Sequence, residues 1–81
     1  MTRQEIEATV RGVLEEAFDR PIVPGEEVSQ RTEAAWNSVK HIDIIFMLEE
    51  ALGITFAEEE MTALVSLQGI VDRVSARVNG G

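Results

Sequence analysis

The stretch Trp36-Asn37-Ser38-Val39-Lys40-His41-Ile42-Asp43 decides how this 81-residue chain is read. Asn37 and Ser38 both suit a helix start, because a short polar side chain can accept a hydrogen bond from a backbone N–H that the first turn leaves free. The apolar residues beyond them recur with helical period. Ile42, Ile45, Leu48 and Leu52, with Ile44 toward one edge, share a broad side that is expected to face the core. Lys40, Asp43, Met47 and Glu50 fall away from it, with Val39 and Phe46 at the border. Gly53 suits the left-handed conformation that ends a helix, so the segment is expected to stop there. A helix apolar over most of its circumference, yet interspersed with charges, is expected to use its outer side for contact. The alternative is a core helix with a few ordinary exposed apolar residues.

Upstream, Thr2 and Glu5 fit a capping box, and Ile6, Val10, Val13, Leu14, Ala17 and Phe18 recur at spacings of three and four. They predict a helix of about four turns, with Glu7, Arg11, Glu15 and Glu16 facing water. Pro21, Pro24 and Gly25 break that pattern, so residues 19–36 read as a long loop, pinned to the core by Ile22, Val28 and Trp36. Downstream, Ile54-Thr55-Phe56 reads as a short extended connection. The acids Glu58-Glu59-Glu60 then open a short third helix, capped from Thr55 or starting nearer Ala57. Ser66 can cap a last helix whose stripe is Leu67, Ile70, Val71, Val74 and Val78, with Asn79-Gly80-Gly81 expected to fray. Nothing alternates with the period of a strand. The expected architecture is all-α, one domain over residues 1–81, with three long helices, one short helix and a long loop after the first.

Fifteen acidic residues against seven basic ones give a formal net charge of −8. The basic residues are scattered, so nucleic acid is not an expected partner and a basic protein surface is. The absence of cysteine removes disulfides and thiol chemistry from the chain itself. No apolar run approaches the roughly 20 residues needed to span a bilayer. Residues 1–5 show neither signal-peptide nor transit-peptide character, and a cytoplasmic monomer is expected.

Ser38 and His41 lie one helical turn apart, which invites a nucleophile and its base. Against that, no carboxylate is placed to orient His41, no glycine-rich turn suggests an oxyanion hole, and the wheel turns His41 toward the core. A packed histidine with local hydrogen-bond partners is the preferred reading, and no catalytic residue is assigned. The runs Glu26-Glu27, Glu49-Glu50 and Glu58-Glu59-Glu60 lack the spacing of a calcium loop and are assigned to recognition, with no metal expected. Helix geometry does favour an anionic group on Ser38, where free N–H groups and the positive dipole end would stabilise a phosphate. A plain N-cap at Ser38 or Asn37 explains the same residues equally well.

Across nearly its whole length the chain resembles the acyl carrier protein family, which includes the peptidyl carrier domains. Asn37-Ser38-Val39 stands where that family has Asp-Ser-Leu. Ile42, Ile45, Leu48, Glu49-Glu50, Leu52, Gly53-Ile54, Phe56, Ser66-Leu67, Ile70 and Val74 continue its pattern. Trp36 and His41 look like a Trp-Asp-Ser-Leu-x-His variant found in some free-standing carriers. The resemblance implies a four-helix carrier bundle, modified and not itself an enzyme. Ser38 would receive 4′-phosphopantetheine from coenzyme A through a phosphopantetheinyl transferase. The arm would carry acyl or aminoacyl groups as thioesters between a loading ligase or synthase and downstream acyl-transfer enzymes of fatty-acid-like or specialised metabolism. It also implies docking through Val39, Lys40, Asp43, Met47, Glu49 and Glu50 on the second helix. Asn37 in place of aspartate, and Lys40 where many members have an acid, leave a second expectation: an unmodified carrier-like adaptor that only docks partners.

Overall fold

The computed structural model describes residues 1–79. Four helices follow one another: α1 (Arg3–Phe18), α2 (Ser38–Leu52), α3 (Glu58–Met61) and α4 (Leu67–Asn79). They form an all-α bundle with three long members, in which α2 and α4 both pack on α1. No strand forms among the described residues; Ser29 and Ser66 make an isolated antiparallel bridge. The expectation for Gly80 and Gly81 lies outside the described residues.

Each long helix begins where a side chain can satisfy its first turn. Thr2 and Glu5 form the reciprocal capping box of α1, Asn37 Oδ1 accepts from Lys40 N–H at 2.9 Å, and Ser66 Oγ accepts from Gly69 N–H at 2.9 Å. The short α3 starts after Ala57, not after a Thr55 cap. Ala57 offers no side-chain acceptor, and Glu60 reaches back to the Ala57 N–H at 2.8 Å.

The ends of α1 and α2 use one device twice. Asp19 (φ 53°) and Gly53 (φ 66°) take the left-handed conformation and donate to the carbonyls of Glu15 and Glu49. The carboxylates of those same two glutamates then accept the N–H seven residues on: Ile22 at 2.7 Å and Phe56 at 2.9 Å. Each bond turns the returning chain inward, and Ile22 and Phe56 are buried. Glu15, expected in water, is thus a loop anchor.

The loop from residue 19 to residue 36 is pinned to the body of the molecule at three points along its length. Ile22, Val28 and Trp36 are buried in the core. Val23-Pro24-Gly25-Glu26 closes a tight turn, with Gly25 at φ 86° and Glu26 N–H on the Val23 carbonyl at 3.0 Å. Arg20 pairs with both Glu26 and Glu33 at 2.9 Å. Leu67 N–H donates to Val28 O at 2.8 Å and Gln30 N–H to Val65 O at 3.0 Å, which sews the loop to the start of α4.

The core draws on every part of the chain except α3: Ile6, Val10 and Leu14 of α1; Ile44, Ile45 and Leu48 of α2; Leu64, Ile70, Val71 and Val74 toward the C-terminus. Two expectations need correction. Val78 is exposed, not part of the buried stripe of α4. On α2, Ile42 is 54 % exposed while Ile44 is fully buried. The apolar arc of α2 is wider than the strip α1 can cover, so the contact selects the Ile44–Ile45–Leu48 side and leaves Ile42 outside.

Candidate functional site

Asn37, extended at φ −96°, is the N-cap of α2, and Ser38 is its first helical residue. Because Asn37 supplies the cap, the Ser38 hydroxyl is left out of it. Of the four N–H groups that a helix start leaves without intrahelical partners, Asn37 donates to Ala35 O and Lys40 to Asn37 Oδ1. Those of Ser38 and Val39 remain at the positive end of the helix dipole. The first turn contains no acid, and Lys40 sits within it. Ser38 is exposed. An anion attached at its oxygen would meet N–H dipoles and no carboxylate of that turn, so the residues present fit a phosphodiester.

His41, three residues on, is half-buried and faces away from this role. Trp36 Nε1–H donates to His41 Nδ1 at 3.0 Å, and His41 Nε2 lies 2.8 Å from Met61 O. A carbonyl can only accept and an indole N–H can only donate, so these partners fix the neutral Nε2–H tautomer. The ring's one lone pair is engaged by Trp36, and neither nitrogen is available to take a proton from Ser38. The Trp36 ring also packs on Phe18, with centroids 5.6 Å apart.

Beside Ser38 runs an exposed apolar stripe: Val39 (72 % exposed), Ile42 and Phe46 (61 %). These positions are spaced three and four apart and so form one continuous strip. Asp43 and Glu50 are exposed along its edge. Of the docking residues expected from sequence, Val39, Asp43 and Glu50 are therefore open to a partner and Lys40 partly so. Met47 is half-buried against the core and lines a crease with Val13, Glu16, Glu50 and Ala51. Glu49 has its carboxylate on the Phe56 N–H. Ile42 and Phe46 are the members of the surface that the helical wheel misplaced or left at the border. The signal for them was the width of the apolar arc.

The molecule measures 34 × 27 × 20 Å. Its short axis is about two helix diameters, and the space between is filled by buried side chains. The depression lined by Glu7, Gly25, Val28, Ser66 and Leu67 lies at the loop and the start of α4, away from Ser38. Among the described residues, no helix is long and apolar enough to cross a membrane.

Comparison of the chain with protein-family models, with curated proteins and with solved structures returned no match.

Proposed function

We propose that the protein is a carrier whose Ser38 is modified with 4′-phosphopantetheine and whose α2 presents the loaded arm to partner enzymes. The observation that carries this reading is the state of Ser38. It is an exposed hydroxyl on the first turn of a 15-residue helix, released from capping by Asn37 and adjoining an apolar stripe that the fold does not bury. The resemblance in the pattern from Asn37 to Val74 points the same way. When bound, the arm would supply a thiol able to hold an acyl or aminoacyl group, chemistry that this cysteine-free chain lacks.

The chain's own residues have three tasks in this scheme. Ser38 provides the point of attachment. The Ser38 and Val39 N–H groups stabilise the phosphate. Val39, Ile42 and Phe46 give the apolar contact, while Asp43 and Glu50 speed encounter with basic surfaces on the transferase, the loading enzyme and the acyl-transfer enzymes. The filled core implies that a long cargo lies on the surface or within the partner.

Transfer of a fluorescent group from a coenzyme A analogue by a broad-specificity phosphopantetheinyl transferase tests this. One label per chain is expected, and none on Ser38→Ala; label retained on Ser38→Ala, or absent from both, contradicts it. The adaptor reading draws on the same unburied stripe. It predicts that a partner binds the unmodified protein and Ser38→Ala as tightly as the modified one.

A further inference from the structure

Trp36, His41 and the Met61 carbonyl form a hydrogen-bonded clasp around the turn that carries Ser38. The indole N–H to Nδ1 distance is 3.0 Å and the Nε2 to Met61 O distance 2.8 Å. Trp36 precedes Ser38 by two residues and His41 follows it by three, so the Trp36–His41 bond bridges Ser38 from both sides along the chain. The outer ends of the clasp are fixed. Trp36 is 4 % exposed and rests on Phe18 at the end of α1, while Met61 closes α3 and packs against the core. A neutral hydrogen bond adds little net stability beyond an apolar pair of the same shape. What it adds is direction: one tautomer, one ring orientation, one path for residues 36–38.

We propose that His41 is a positioning residue for Ser38, holding the segment 36–38 through the Trp36 bond in the conformation in which the hydroxyl meets the modifying transferase. This rests on the carrier reading. In the step it serves, a bond forms between Ser38 Oγ and the pantetheine-bearing phosphorus of coenzyme A. The pyrophosphate P–O bond to the nucleotide breaks, adenosine 3′,5′-bisphosphate leaves, and the hydroxyl proton is released. A segment held beforehand loses little freedom on docking, and a loosened one loses more, so the effect falls on KM and not on kcat.

The two halves of the clasp can be separated. Asparagine places an amide oxygen near the position of Nδ1 and can accept from Trp36; glutamine places an amide nitrogen near that of Nε2 and can donate to Met61 O. KM and kcat for transfer from coenzyme A are measured on wild type, His41→Asn, His41→Gln, His41→Phe and Trp36→Phe, at a temperature where all are folded. The Trp36 indole N–H resonance and the thermal midpoint are recorded for each variant that retains the indole. His41→Phe, His41→Gln and Trp36→Phe are expected to raise KM about fivefold, the worth of one hydrogen bond, with kcat unchanged. His41→Asn restores both KM and the indole resonance, and gives no rescue in the Trp36→Phe background. Should His41→Phe fail to fold, His41→Gln and Trp36→Phe carry the same comparison.

Equal KM in all variants of a wild type that is modified overturns this inference and leaves the carrier reading standing. So does a KM that follows thermal midpoint, with His41→Asn and His41→Gln alike. An indole resonance unmoved by His41→Gln overturns it whether or not Ser38 is modified. A wild type that accepts no group on Ser38 overturns the carrier reading, and this inference with it.

Discussion

Asn37 accepts the hydrogen bond that the start of α2 requires, and this single contact takes the capping role from Ser38. With the cap supplied one residue earlier, Ser38 stands at a positive helix end whose first turn also carries Lys40, a cation where the dipole disfavours one. Negative charge placed there should relieve that conflict. Ser38→Asp is expected to stabilise the protein by about 0.3–1 kcal/mol in chemical denaturation at low salt, and by less at high salt. Glu15 and Glu49 show the opposite limit of sequence reading. Their bonds to the N–H groups of Ile22 and Phe56 join a helix to chain that has already left it, so no helical periodicity marks them. Glu15→Ala and Glu49→Ala should each lower unfolding free energy by about 1.5–3 kcal/mol, the range for a hydrogen bond to a charged group, whereas Glu16→Ala, exposed one position away, should change it little.

At the scale of the element, α2 was legible in its ends and ambiguous in its faces. Gly53 marks the end correctly and the choice of Asn37 or Ser38 as cap brackets the start to one residue, because capping depends on one or two residues and their backbone angles. The face that packs on α1 depends on the shape of the neighbour, and apolar residues cover more of α2 than that neighbour can bury. The wheel therefore placed Ile42 inside and Ile44 at an edge, the reverse of the structure. The same excess of apolar residues is what leaves an exposed apolar strip next to Ser38. Ile42→Asp and Phe46→Asp are expected to change stability by no more than about 0.5 kcal/mol while weakening partner binding. Leu48→Ala, fully buried one turn from Ile44 and Ile45, should cost about 2–5 kcal/mol. Denaturation curves on the three variants check both halves; a large loss of stability in Ile42→Asp would return that residue to the core.

For the molecule as a whole, helix number, order and class followed from periodicity and caps, and the long loop was foreseen as pinned by Ile22, Val28 and Trp36. Its polar fastening to the start of α4 and to Arg20 was not, because those contacts join residues that no local pattern links. Three carboxylates held by such contacts give the fold a pH signature. The Arg20 guanidinium holds Glu26 below its ordinary carboxylate pKa, Arg3 followed by Gln68 does so for Asp72, and the backbone and hydroxyl of Thr2 do so for Glu5. A carboxylate depressed in the folded state contributes stability above its unfolded pKa and loses it as pH falls through the folded value. Stability should therefore decline from about pH 5 downward. The decline should be shallower in a Glu26→Gln, Asp72→Asn double variant, and a slope identical to wild type would show that these pairs do not hold in solution.

The central claim, that Ser38 carries the working group, is tested most directly by tandem mass spectrometry of the protein purified from its native cells. Trypsin releases residues 32–40, a peptide in which Thr32 and Ser38 are the two hydroxyls. The expected result is a 4′-phosphopantetheinyl group, free or acylated, localised by fragmentation to Ser38. A peptide found only unmodified, or modified at a residue other than Ser38, would contradict the account.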